Sequence, residues 1–204
     1  MPTGAGVNAG PFHSQSNEAW FFHTPGLKIV YPSTPAAAKG LLCAAIEDPN
    51  PYLFFEHKYL YRSLMGPVAK GYHTMEIGKA QVALKGDRLT IITYGMGVHW
   101  ALEASKTIDG LEIIDLCTLM PWDKETVSTS VKKTNKSLIL HEDCITGGIG
   151  AEIAAWIGTH CFEDLDAPVL RVGSLDTPVP FSNAFEHKFA ARQRLPAQLS
   201  CLLI

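Results

Sequence analysis

The stretch from Leu27 to Glu56 constrains the fold most. Leu27-Lys28-Ile29-Val30-Tyr31-Pro32 is a short, largely apolar run with β-branched residues, stopped by proline. Ser33 and Thr34 follow as helix N-cap candidates, and Pro35 suits the first helical position, where a missing N–H costs nothing. Ala36 to Glu47 reads as a helix that ends at Asp48-Pro49-Asn50-Pro51, because proline cannot continue helical hydrogen bonding and pushes the preceding residue toward extended geometry. Tyr52-Leu53-Phe54-Phe55-Glu56 reads as a second buried strand. Strand, helix and strand within about 30 residues make a βαβ unit, two neighbouring parallel strands joined by a right-handed crossover.

From Met1 to Gly26 the chain is rich in Gly, Pro, Ser and Asn, with one aromatic knot, Trp20-Phe21-Phe22, that must find burial elsewhere. Between Arg62 and Lys79 the periodicity fades and Gly66, Pro67, Gly71 and Gly78 collect, as in a connection between units. The expected division is therefore a first unit over 1–66, a linker over 67–79 and a second unit over 80–204. In the second unit, strands are expected at Leu89–Tyr94, Leu111–Asp115, Ser137–His141 and Pro168–Val172. Helices are expected at Val98–Lys106, Asp123–Lys133 and Ala151–His160, with Asp123 as a cap after Pro121-Trp122. This alternation implies a layered α/β domain around a mostly parallel sheet.

The 204 residues are 47% hydrophobic and 18% charged with a formal net charge of −3, enough to bury a sizeable core and without the Lys/Arg blocks that bind nucleic acid or anionic membranes. Five scattered cysteines (Cys43, Cys117, Cys144, Cys161, Cys201) form neither a zinc-binding spacing nor a disulfide framework, which fits a reducing compartment. No stretch approaches the roughly 20 apolar residues that span a bilayer, and no signal peptide stands at the start. A cytoplasmic location is expected.

Several segments carry chemistry. Gly10-Pro11-Phe12-His13-Ser14-Gln15-Ser16-Asn17-Glu18 presents an imidazole, hydroxyls, an amide and a carboxylate without an apolar spacer after His13, so core packing does not shape it. It is either a ligand-meeting loop or a solvated turn. His141-Glu142-Asp143 ends a strand, where acid/base groups of α/β sites gather, although capping and surface pairing explain it as well. Gly148-Ile149-Gly150 invites a dinucleotide-binding reading, against which stands Ile153 at the third fingerprint position; close packing between helices or subunits accounts for the glycines better. After the first helix, the main-chain carbonyls of Ala45, Asp48 and Asn50 lack helical partners and could hold a hard cation, or the turn is only a proline stop.

Taken together, these residues closely resemble the beta chain of thiamin-diphosphate-dependent 2-oxoacid dehydrogenases, the decarboxylating component of the pyruvate and branched-chain complexes. The likeness runs through Gly10-Pro-Phe-His-Ser-Gln-Ser16, Pro25-Gly-Leu-Lys-Ile-Val-Tyr-Pro-Ser-Thr-Pro35, Phe55-Glu-His-Lys58 and Leu60-Tyr-Arg62. It continues in Ile114-Asp-Leu116, Pro121-Trp-Asp123, His141-Glu142, Thr146-Gly-Gly148, Ala167-Pro-Val169 and Asp176-Thr-Pro178, and ends near Phe189. The resemblance implies the C-terminal part of a pyrimidine-binding domain, then a transketolase-type C-terminal domain of three layers. Transketolase and deoxyxylulose-phosphate synthase share this fold, but the His-Ser-Gln-Ser and Pro-Trp-Asp runs argue against them.

The resemblance also implies roles. His13 matches the histidine that faces the cofactor's reactive carbon and assists acyl transfer to a lipoyl group, a step suited to an imidazole that exchanges protons near neutrality. The main-chain oxygens of Ala45, Asp48 and Asn50 match a potassium site whose other ligands lie upstream. Thiamin diphosphate with magnesium would be held mostly by parts absent here, including the glutamate that activates the aminopyrimidine. The chain is thus expected to begin inside the first domain and to be inactive alone. Expected partners are a second copy, through Gly147-Gly148, Ala151, Ala154 and Ala155 of the C-terminal domain, an alpha chain or fused alpha part in a heterotetramer, and the subunit-binding domain of the acyltransferase. A non-catalytic dimerisation and docking module is the rival reading. A eukaryotic source would move the expected location to the mitochondrial matrix.

Overall fold

The structure is a computed structural model and describes residues 1–203. In the first unit, β1 (Pro2–Thr3), α1 (Gly10–His13) and α2 (Glu18–Phe22) precede β2 (Lys28–Val30), α3 (Pro35–Glu47) and β3 (Tyr52–Phe54), and β4 (Glu56–His57) and α4 (Leu60–Ser63) complete it. The βαβ expectation holds: β2 and β3 pair in parallel, Lys28 with Tyr52 and Val30 with Phe54. The start of α3 is built as its sequence demands. Pro35 sits in its first turn and the Thr34 hydroxyl accepts from the Ala37 N–H at 3.1 Å.

The second unit runs β5 (Gln81–Leu84), β6 (Leu89–Thr93), α5 (Met96–Ala104), β7 (Leu111–Asp115), β8 (Thr118–Met120), α6 (Lys124–Thr134), β9 (Ser137–Cys144), α7 (Ile149–His160), β10 (Leu170–Ser174), α8 (Asn183–Phe189) and α9 (Leu195–Leu203). Its five-stranded sheet has the order β10-β9-β6-β7-β5, parallel except for the edge strand β5, which runs antiparallel to β7. This is the mostly parallel α/β domain expected. Four elements go beyond the sequence reading: the exposed edge strand β5, the short β8, and the two last helices, α8 and α9.

β8 leaves the large sheet and pairs antiparallel with β2 of the first unit, Ile29 with Met120. The core follows the same bridge: Ile29, Tyr31 and Phe55 pack in one buried cluster with Ile92, Ile114 and Ile139 of the large sheet. Tyr31 stacks on Phe55 at 5.7 Å and meets Tyr94 at 5.3 Å between ring centroids. The aromatic knot divides. Phe21 and Phe22 reach this core, whereas Trp20 stays 72% exposed, contrary to the expectation that the whole knot is buried.

Asp123 caps α6 as expected. One of its oxygens accepts from the Thr126 N–H at 3.0 Å, and the other from the Thr126 hydroxyl at 2.7 Å and the Ala80 N–H at 3.1 Å. Asp123→Ala is expected to lower stability by about 1–2 kcal/mol, read as a shift in the urea unfolding midpoint. Among the described residues no helix is long and apolar enough to cross a membrane.

Candidate active-site cleft

The polar run around His13 folds as a loop whose ends meet. The Gln15 carbonyl accepts from the Thr3 hydroxyl at 2.8 Å and the Gly4 N–H at 3.4 Å. Within the loop, the Gln15 amide donates to the Pro11 carbonyl at 2.9 Å. His13 ends α1, is exposed and has no hydrogen-bond partner among the described residues. Ser14 behind it is buried, its hydroxyl equally unpartnered.

Beside the loop opens a cleft of about 730 Å³, where Gln15, Ser16 and Asn17 face Glu142, Asp143 and Asp176 across the boundary between the two units. His13 does not line it, although its neighbours Pro11 and Gln15 do, and Trp20 stands on the same wall. Asp176 is held by Thr146, whose hydroxyl donates to it at 2.6 Å and whose N–H donates at 3.0 Å.

His141-Glu142-Asp143 is no surface cluster, which corrects the reading of capping and surface pairing. His141 is fully buried and Glu142 is 6% exposed. Burial drives the His141 imidazole down to about 4, so it is neutral at pH 7, its Nδ1 donating to the Asp143 carbonyl at 3.0 Å. Gly148 and Gly150 make room for this ring: a Cβ on either would come within 2.6 or 2.7 Å of it. The Gly148-Ile149-Gly150 turn is thus packed on a side chain of its own chain, which leaves it no role as a pyrophosphate cradle.

Glu142 gathers groups from both units. One oxygen contacts His57 Nε2 at 2.7 Å, the Ala5 N–H at 3.2 Å and the Ser16 hydroxyl at 3.2 Å. Burial alone would raise its pKa; the His57 imidazole, the Ala5 N–H and the Ser16 hydroxyl outweigh that and hold it below the ordinary carboxylate range. Two neighbouring acids go the other way. Glu18, fully buried, is pushed up to about 8 by burial and then by Asp143, although the Tyr94 hydroxyl donates to it at 2.8 Å. Asp143 is raised to about 6, again first by burial. His57 is the site residue that sequence reasoning did not single out, and the sequence presents Glu18 only as the carboxylate of the polar run, not as a buried acid. An acid inside an apolar aromatic run, as in Asn17-Glu18-Ala19-Trp20-Phe21-Phe22, was the available signal for Glu18.

The turn after α3 lies apart from this cleft. Pro49 has no N–H to offer the Ala45 carbonyl, which therefore lacks its helical partner. The Asp48 carboxylate takes the Lys28 ammonium, the Tyr52 hydroxyl at 2.7 Å and the Asn50 N–H at 2.9 Å. Lys28 above all holds its pKa well below the ordinary range. Among the described residues no group of three His, Cys, Asp or Glu side chains could hold a metal ion.

The fold is similar to that of a solved protein described as a split-gene transketolase, inactive β4 tetramer. The fold matches it with a TM-score of 0.75 at 24% identity, over 99% of this chain and 66% of that one. Residues 78–193 match the transketolase C-terminal domain and residues 1–63 the transketolase pyrimidine-binding domain, and the chain belongs to this family. It is similar to the 2-oxoisovalerate dehydrogenase subunit beta of Bacillus subtilis, 47% identical over 193 residues, 92% of this chain and 59% of that protein. It is also similar to the pyruvate dehydrogenase E1 component subunit beta of the same organism, 43% identical over 187 residues, 90% of this chain and 58% of that protein. The chain thus spans less than two thirds of the length of these relatives.

Proposed function

We propose that this chain is part of the beta subunit of a thiamin-diphosphate-dependent 2-oxoacid dehydrogenase and that His13 is its contribution to the reaction. The observation that carries this reading is the exposed, unpartnered imidazole of His13 on a tied polar loop, in a chain 47% identical to a 2-oxoisovalerate dehydrogenase beta subunit. Bound thiamin diphosphate would supply the carbanion chemistry that releases carbon dioxide from a 2-oxoacid. His13 would hold and move a proton at the ring nitrogens during acyl transfer to a lipoyl thiol. A partner alpha chain or fused alpha part would close over the exposed ring and hold the magnesium diphosphate, so the chain alone is inactive.

The carbonyls of Ala45, Asp48 and Asn50 fit a potassium site in part. Pro49 and Pro51 remove two N–H groups from that turn, and oxygens from preceding chain would complete the shell. The outer face of α7, where Ala151, Ala155 and Gly158 are not buried, would meet a second copy; Gly148 and Ala154 turn inward instead. The C-terminal domain would also dock the acyltransferase subunit-binding domain.

The test is His13→Ala in the enzyme containing this chain, with pyruvate and 3-methyl-2-oxobutanoate as alternative substrates. Acyl transfer to a lipoyl domain should fall by about 10²–10⁴-fold, the range for loss of a positioned acid/base group. Transfer at the wild-type rate would overturn the reading.

A further inference from the structure

The loop that carries His13 has few apolar anchors of its own. Phe12 is 80% exposed, His13 and Val7 are exposed, and its buried residues are the small Gly4, Ala5, Gly10 and Ser14. With its ends closed on the Gln15 carbonyl, Gly4 to Ser16 is an Ω-loop, and packing alone does not fix where its tip points.

What holds it are two carboxylates of the other unit. Glu142, on β9, grips both ends: the Ala5 N–H and the Ser16 hydroxyl converge on the same oxygen, each at 3.2 Å, with His57 fixing that oxygen at 2.7 Å. Glu186, on α8, grips the middle, accepting from the Gly6 N–H at 3.0 Å and the Asn8 N–H at 3.3 Å with its two oxygens. Glu186 is 4% exposed and, like Glu142, shielded from competing water. Hydrogen bonds to an ionised acceptor are the strong ones, and here they span the unit boundary.

We infer that Glu142 and Glu186 are positioning residues for His13, so that the C-terminal domain, which supplies no group to the reacting atoms in the reading above, sets the aim of the catalytic imidazole. The inference rests on the proposed role of His13. An error of about 1 Å in placing a reacting group can cost on the order of 10²-fold in rate, so a tether of this kind acts on turnover rather than on substrate binding.

Glu186→Gln is the test, because Glu186 is not paired with a histidine and its loss strands no buried charge. In the 204-residue chain, amide exchange at Gly6 and Asn8 should speed up by about tenfold or more, while Ile91 and Ile139 in the sheet keep their protection. Ser16→Ala, which releases one of the two ends that Glu142 grips without touching a charge, should speed exchange at Gly4, whose N–H bonds the neighbouring Gln15 carbonyl. In the enzyme containing this chain, Glu186→Gln should lower kcat for lipoyl acylation by about tenfold or more with KM for the 2-oxoacid unchanged, and Glu186→Asp should recover part of it. Loop exchange unchanged in both variants, or exchange raised equally across the sheet, overturns the inference. So does a wild-type kcat in Glu186→Gln alongside a loss in His13→Ala, an outcome that leaves the role of His13 standing. Full transfer in His13→Ala removes that role instead, while the exchange data still decide whether the tether exists.

Discussion

Glu142→Ala should destabilise the chain by about 3 kcal/mol or more, because three groups lose one shared buried acceptor and each stranded group costs about 1–3 kcal/mol. Glu142 is 6% exposed and His57 3%, so the imidazole left behind would lose its counter-group without gaining water. The Ala5 N–H and Ser16 hydroxyl would lose their acceptor as well. Glu142→Gln keeps the side-chain shape and one oxygen, and should cost less. The pH dependence has a definite sign. Because the folded carboxyl lies below its ordinary value of 4.5, its stabilisation is complete above that pH and is lost as pH falls through the folded value. Urea unfolding of wild type and variant from pH 7 downward should therefore show a gap that is constant above about pH 4.5 and narrows as pH falls below it; a gap that does not narrow in acid, or no gap at about pH 7, would refute the assignment.

Glu18→Gln should do the opposite and stabilise the protein at alkaline pH. Native Glu18 keeps its proton to about 8, whereas in the unfolded chain it ionises near 4.5. Between those values the unfolded state releases a proton that the native state retains, so stability falls as pH rises, by up to about 1.4 kcal/mol per pH unit. Glutamine mimics the protonated acid and keeps an oxygen for the Tyr94 hydroxyl. It should flatten this slope, leaving the two proteins alike near pH 4 and the variant several kcal/mol more stable at pH 8. Parallel stability curves for the two proteins would show that Glu18 does not carry the buried proton.

The parallel core was legible because its signals are local. Pro35, Pro49 and the run Ile29-Val30-Tyr31 place β2 and α3, and Asp123 announces α6. The edge strand β5 was not, since Gln81-Val82-Ala83-Leu84 is exposed along most of its length and no apolar alternation marks it. The closing helix was missed for another reason. Leu195, Leu199 and Leu202 recur at helical spacing and are all buried, but they lie beyond the last residues that resemble the family. Of the site, the polar loop around His13 was visible as a run that core packing could not explain. The partner of His57 stands 85 residues away, and no spacing rule connects a histidine after β3 with a glutamate in the last strand but one.

The excursion of β8 onto β2 has a mechanical consequence. The two family segments meet in one hydrogen-bonded ribbon, reinforced where the Ser33 hydroxyl reaches the buried Asp115 carboxylate and the Tyr31 N–H reaches the Cys117 carbonyl. The covalent connection between them, residues 64–77, contains no helix or strand, and Met65 within it is 95% exposed. Continuity of the backbone there is nearly incidental to cohesion, and a scission in that stretch would leave two pieces still clasped and melting as one body.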